Sequence, residues 1–208
     1  PNQAEPDACA RRDFAIEGSI FVTGAAVQWL RDGLGIIQDS SEVEELARTV
    51  PDSGGVVFVP ALTGLGAPDW DPHARGLIIG ISRGTTAAHL ARATLEAIAL
   101  EVRDVIDLMI QETGVELPYL AIDGGASLND LLCQLQADLT QLPIQRSEQV
   151  EITGLGAAFL AGLGTGFWKN TEEISRLTRI SREFLPEANR EDLYLNWRAA
   201  VSRSLNWS

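Results

Sequence analysis

Asp123-Gly124-Gly125-Ala126-Ser127-Leu128-Asn129 is the stretch on which the reading of this chain turns. Ahead of it, Tyr119-Leu120-Ala121-Ile122 is a short apolar run that reads as a buried strand. Behind it, Leu128, Leu131, Leu132, Leu135 and Leu139 recur at the spacing of one helical face. The stretch is therefore a strand, a tight glycine turn and a helix start. Two adjacent glycines let a backbone pass close to a ligand, because no Cβ stands in the way. Ser127 is placed to act as an N-cap, and the helix N-terminus behind it favours negative charge. A nucleotide suits that combination. An ordinary turn between a strand and a helix has the same pattern, and the stretch by itself leaves both readings open.

Outward from this turn, helices and strands alternate. Leu142-Pro143-Ile144-Gln145 predicts a short strand near a sheet edge, because proline cannot donate to a ladder. Thr153-Gly154-Leu155-Gly156-Ala157-Ala158-Phe159-Leu160-Ala161-Gly162 predicts a helix whose small-residue face packs closely on a sheet or another helix, rather than meeting a ligand. A short helix follows over 171–177. A terminal helix from Asn189 carries Tyr194, Trp197, Val201 and Leu205 at helical spacing.

Toward the N-terminus, the longest helix is expected over 86–113, with Leu95, Ile98, Val102, Ile106, Met109 and Ile110 as its apolar stripe. Arg103 and Asp107 can pair across one turn, and Glu96 beside the stripe reads as a solvated or locally paired carboxylate. Val56-Val57-Phe58-Val59 and Leu77-Ile78-Ile79-Gly80-Ile81 predict strands. Between them lies a Gly/Pro-rich loop over 60–76, a kind of segment that often carries function. Its Asp69 and Asp71 read as a solvated turn pair or an Asp71–Arg75 contact before a metal pair, His73 has no partner in local sequence, and Trp70 is expected to pack against the body or face a cleft. Ser41-Glu42-Val43-Glu44 fits a capping box opening a helix over 41–49. An earlier helix over 23–34, capped by Thr23, is expected to bury Ala25, Trp29 and Leu30, after a strand end at Phe14-Ala15-Ile16.

A chain of 208 residues can bury a substantial core. Its net charge of −13 argues against nucleic acid and anionic membrane surfaces as partners. Any anionic ligand must then be met by glycine-turn amides, helix N-termini or a metal ion. Cys9 and Cys133 lie far apart, with Cys133 reading as a small core residue, so a reducing cytoplasm is the expectation. No apolar run has membrane length. Residues 1–13 read as a polar arm, and an opening of Pro1-Asn2-Gln3-Ala4-Glu5-Pro6 reads as the middle of a longer chain. Alternating strands and helices favour an α/β fold with a mixed or parallel sheet covered by helices, and ligands of such folds sit at the carboxyl ends of strands. The turn at Asp123 to Asn129 occupies such a place.

Several stretches taken in order also resemble a known family. They are Glu17-Gly18-Ser19-Ile20-Phe21 with Gly24-Ala25-Ala26-Val27-Gln28-Trp29-Leu30-Arg31-Asp32, then Thr63-Gly64-Leu65-Gly66-Ala67-Pro68 through Trp70-Asp71-Pro72 to Ala74-Arg75-Gly76. Gly76-Leu77-Ile78-Ile79-Gly80 with His89-Leu90 and Ala93-Thr94-Leu95-Glu96 follows, then Asp123-Gly124-Gly125-Ala126 and Leu155-Gly156-Ala157-Ala158. Together they resemble the FGGY carbohydrate kinases, and within them the glycerol kinases. The resemblance implies a ribonuclease-H-like, actin-like ATPase fold, with 14–208 as the C-terminal nucleotide-binding domain beside a deep cleft. Carried over by motif, Gly125 and Asn129 would contact the adenosine part of ATP or ADP, and Gly24 and Gln28 would contact the nucleotide from their helix. It also implies Mg²⁺ with ATP, glycerol held by a preceding domain, and possible homo-oligomers. No carboxylate here matches the family's catalytic base, so no catalytic and no metal-binding residue is assigned in this chain. Residues 186–190 are the least family-like. A kinase of another polyol or sugar, and a non-catalytic actin-like domain, are the rival readings.

Overall fold

The computed structural model describes residues 15–149 and 151–207, so the polar arm over 1–13, with Cys9 and Phe14, falls outside the described residues. In chain order the elements are α1 (Gly24–Asp32), α2 (Glu42–Arg48), β1 (Val57–Val59), β2 (Leu77–Ile79), α3 (Ala87–Thr113), β3 (Leu120–Ile122), α4 (Asp130–Thr140), β4 (Ile144–Ser147), α5 (Ile152–Thr165), α6 (Thr171–Ser175), β5 (Ile180–Phe184) and α7 (Glu191–Ser204). A 3₁₀ turn, Gly125–Leu128, links β3 to α4.

α3 is the axis. Its 27 residues are rich in alanine and leucine, which lose little side-chain entropy in a helix. At its start the Thr86 amide donates to His89 Nδ1 at 3.1 Å. At its end Gly114 turns left-handed at φ 65°, and its amide donates to Ile110 O at 2.8 Å. Four helices pack their apolar faces on this axis. Leu95, Ile98 and Leu100 of α3 share one core with Leu30 of α1, Val43 of α2, Leu132, Leu135 and Leu139 of α4, and Trp197 and Val201 of α7. Each such leucine or valine contributes about 1.5–3 kcal/mol by leaving water.

The strands form two small sheets. β1 and β2 are antiparallel, with Val57 opposite Ile79. β3 and β4 are parallel, with Leu120 opposite Ile144, and β4 pairs antiparallel with β5, Ile144 opposite Phe184. The strand order β3-β4-β5 makes the second sheet mixed, as expected. Two expectations fail here. β4 is the central strand, because Pro143 lies just before it and uses only its carbonyl, which accepts from the Leu120 amide at 2.8 Å. β3 is a half-exposed edge strand rather than a buried one, since among the described residues only β4 pairs with it. β5 escapes sequence reading because four of its five residues are exposed and only Phe184 is buried.

Helix boundaries and buried faces also shift. α1 ends at Asp32, and it is Ala26, Val27 and Leu30 that are buried, while Ala25 is exposed and Trp29 half-buried. Thr23 makes no side-chain cap. Residues 15 and 16 are not in a strand. Ser41 makes no capping box; its amide and hydroxyl donate to Asp39 Oδ1 at 2.8 and 2.6 Å. No residue of α5 is buried, so the close packing expected of its small-residue face is not found among the described residues.

The loop over 60–76 is tied down by acids in a way local sequence does not show. Asp69 accepts both Arg198 guanidinium nitrogens, at 3.1 and 3.0 Å. Asp71 accepts the amides of His73 at 2.8 Å and Asn206 at 2.7 Å, not Arg75, whose guanidinium donates to Pro72 O and Ala74 O. Trp70 is 60% exposed and meets Phe21 edge-on with ring centroids 6.2 Å apart, so burial does not anchor it. Glu96 is paired as one reading had it, to Arg92 at 2.8 Å, but it is buried rather than solvated, and burial raises its pKa. Arg103 and Asp107 pair at 3.3 Å as expected.

Candidate functional site

The four residues singled out by sequence come together. Gly24 and Gln28 of α1, Gly125 of the 3₁₀ turn and Asn129 at the start of α4 line one cavity of about 540 Å³. That volume lies in the range of small-molecule sites. Val27, Leu95, Ile98 and Leu132 form its apolar wall, and it lies beyond the carboxyl end of β3.

The two glycines of the focal turn do different work. Gly124 sits at φ 78°, where a side chain is strained, so the turn itself needs it. Gly125 has no left-handed φ, and a Cβ built on it meets no atom within 4 Å. The same holds for Gly24. Neither backbone conformation nor protein packing requires glycine at these two cavity positions.

Asn129 is the N-cap of α4. Its Oδ1 accepts the Leu132 amide at 2.8 Å, which leaves its NH₂ group as a donor. Ser127, expected as the cap, is buried instead, and its hydroxyl donates to Gly124 O at 2.7 Å. Leu128 accordingly lies in the 3₁₀ turn, and the buried leucine face starts at Leu131. Asn129→Ala should lower stability by about 1 kcal/mol through loss of the cap. A urea midpoint that falls at unchanged slope is the expected reading, and an unmoved midpoint would show that the cap carries no weight.

The N-terminus of α4 is not open to an anionic ligand. Glu44 of α2 reaches across, its Oε2 accepting the Asp130 amide and its Oε1 the Leu131 amide, each at 3.1 Å. The helix end does favour negative charge as expected, but a carboxylate of the chain itself supplies it. Local sequence assigned Glu44 to its own helix, and no short-range signal marks a partner on another helix.

Arg146 braces the turn from behind. It donates to Ser127 O at 3.1 Å and to Asp130 Oδ1 at 2.8 Å, and Arg182 pairs with the other Asp130 oxygen. Cys133 is a core residue as expected; burial pushes its thiol up to about 11, and its Sγ lies 3.2 Å from Ser127 O. No group of three or more His, Cys, Asp and Glu side chains among the described residues is placed to hold a metal ion. No helix among them is long and apolar enough to cross a membrane.

An α/β domain with a nucleotide-sized cavity beyond a strand-turn-helix is thus in place, and comparison with known proteins gives it a family. The C-terminal domain of the FGGY family of carbohydrate kinases matches residues 2–165, and the chain belongs to that family. It is 56% identical over 197 residues to glycerol kinase 2 of Thermotoga maritima and 54% identical over 200 residues to a glycerol kinase of Oleidesulfovibrio alaskensis, covering 93% and 95% of this chain. It spans 40% of the length of each of these relatives. The crystal structure of Plasmodium falciparum glycerol kinase with ADP superposes with a TM-score of 0.82 at 34% identity, covering 89% of this chain and 38% of that one. A xylulose kinase of Rhodospirillum rubrum superposes with a TM-score of 0.75 at 26% identity, over 88% of this chain and 38% of that one. The ribonuclease-H-like, actin-like fold expected from the sequence stands.

Proposed function

We propose that residues 14–208 are the nucleotide-binding C-terminal domain of a glycerol kinase, which transfers the γ-phosphoryl group of ATP to glycerol and yields glycerol 3-phosphate and ADP. The observation that carries this reading is the pair Gly24 and Gly125. Both line the cavity, and nothing among the described residues calls for glycine at either. A ligand that must approach both backbones closely accounts for them. Gly125 and the Asn129 NH₂ group would meet adenosine, and Gly24 and Gln28 would meet the nucleotide from α1. The apolar wall suits a purine ring. The identity to glycerol kinases, well above that to the xylulose kinase, favours glycerol over a pentulose as the acceptor.

Phosphoryl transfer is mostly positioning and charge stabilisation. In this reading the chain supplies the first, holding the nucleoside so that the phosphates point away from the Glu44 carboxylate. No group of three or more metal-ligating side chains is found among the described residues, so Mg²⁺ would come with the nucleotide phosphates. The base and the residues that grip glycerol would belong to the rest of the kinase. Cytoplasmic location and homo-oligomerisation belong to the same reading.

The test is a coupled assay for ADP release with ATP, Mg²⁺ and glycerol. The full-length kinase should turn over, and these 208 residues alone should stay at background. Glycerol-dependent turnover by these residues alone would place a base among them and overturn the division of labour.

A further inference from the structure

We propose that Glu44 is a specificity-determining residue of this cavity, accepting a hydrogen bond from an N–H or O–H donor on the nucleoside end of the ligand. This rests on the nucleotide reading above and goes beyond it. Glu44 lines the cavity beside Gly125 and Asn129, and its side chain is 24% exposed despite its partners.

Its two oxygens are unequally used. Oε1 accepts the Leu131 amide at 3.1 Å and two Arg48 nitrogens at 2.9 and 2.7 Å. Oε2 accepts the Asp130 amide alone, at 3.1 Å. A carboxylate oxygen offers about two lone-pair sites. Oε1 is therefore saturated, and Oε2 keeps one acceptor site. Ser40, Ser41, Gln28 and Asn129 also line the cavity, but no side chain among the described residues hydrogen-bonds Oε2.

Occupancy then decides which end of a nucleotide comes here. A helix N-terminus ordinarily draws phosphate, but the Glu44 carboxylate, itself paired with Arg48 at 2.7 Å, already holds these amides, and a phosphate would have to displace it. The uncharged nucleoside carries the matching donors: the amino group of its base or the hydroxyls of its ribose. A ligand that lacks the relevant donor buries this acceptor unpaired, and such losses discriminate more sharply than a missing methylene.

The experiment titrates the full-length kinase calorimetrically with ADP, IDP, 2′-deoxy-ADP and 3′-deoxy-ADP. IDP replaces the amino group by a carbonyl; the deoxy analogues each delete one hydroxyl. The wild type should bind one of these analogues about tenfold more weakly than ADP, the size of one charge-assisted hydrogen bond. IDP singles out the base, and a deoxy analogue singles out the ribose. Glu44→Gln keeps the shape but replaces the charge and one acceptor oxygen. It should bring that ratio to within about twofold, with folding followed by melting curves. Equal affinity of the wild type for all four ligands would overturn the proposal without any variant. A ratio unchanged in folded Glu44→Gln would overturn it too, while leaving the nucleotide reading intact. Failure of the wild type to bind ADP would remove both.

Discussion

Gly125→Val should weaken ADP binding to the full-length kinase about a hundredfold and leave its melting temperature within about 2 °C of the wild type. The two halves of this result have one origin. A Cβ at Gly125 meets no atom within 4 Å, and the residue has no left-handed φ, so the protein itself has room for the side chain. Solvent-facing substitutions of that kind stay within about 0.5 kcal/mol in stability. The space the side chain would take is the cavity, where overfilling a packed ligand site costs about 1–3 kcal/mol and more when a rigid backbone cannot retreat. Arg146 and the Ser127 hydroxyl hold this turn from behind, so retreat is restricted. Gly124→Ala is the contrast. At φ 78° its new Cβ is strained in the folded state, and stability should fall by about 1–2 kcal/mol with ADP affinity of the folded protein little changed. Calorimetric titration beside melting curves separates the two. If folded Gly125→Val keeps its ADP affinity, no nucleotide approaches the Gly125 backbone closely and the cavity takes something else.

What could be read from the sequence follows a physical division. The strand, glycine turn and helix over 119–140 are legible because each depends on residues a few positions apart: a short apolar run, two adjacent glycines, leucines at helical spacing. α3 is legible for the same reason, its stripe and its terminal Gly114 being local signals. The coming together of Gly24, Gln28, Gly125 and Asn129 is not a local fact. It was reachable through family motifs alone, since no periodicity in this chain links residue 24 to residue 125.

Failures cluster where a side chain's partner is distant in sequence. Spacing from Ser41 gives Glu44 to a capping box, yet its carboxylate accepts the amides of Asp130 and Leu131 on another helix, besides Arg48 one turn away. Spacing offers Asp71 the Arg75 side chain, but its oxygens accept the amides of nearby His73 and distant Asn206. Carboxylates have several strong competitors in a folded chain, and spacing says only which ones are near in sequence. Burial misreadings have a second cause. β3 and α5 are apolar yet not buried, and apolar composition marks what could be buried, not what this chain covers.

Glu101 should make the fold lose stability as pH rises from about 4.5 to about 8. The residue sits in α3 at 9% exposure, its Oε2 buried without a hydrogen-bond partner among the described residues. Burial, followed by the nearby Asp104 carboxylate, pushes its pKa from 4.5 up to about 8. Asp104 is itself committed, accepting Tyr194 Oη at 2.8 Å, Trp197 Nε1 at 2.9 Å and Arg198 at 2.8 Å, so it cannot move aside. Below about pH 4.5 the acid is protonated in both folded and unfolded chains, and its contribution is intact. Between the two values the unfolded chain has released the proton while the folded one still binds it, so each pH unit costs the fold up to about 1.4 kcal/mol. Above about 8 both forms are ionised and the loss is complete. Glu101→Gln removes this titration and keeps the shape. Its unfolding free energy, from urea curves on the same preparation, should match the wild type near pH 4.5 and exceed it by roughly 2–4 kcal/mol at pH 8. The other carboxylates titrate in both proteins, so the difference between the curves isolates Glu101. Parallel curves from pH 4.5 to 8 would mean that the Glu101 carboxyl ionises in the folded chain as readily as in the unfolded one, and that α3 tolerates a charge at its core beside Asp104.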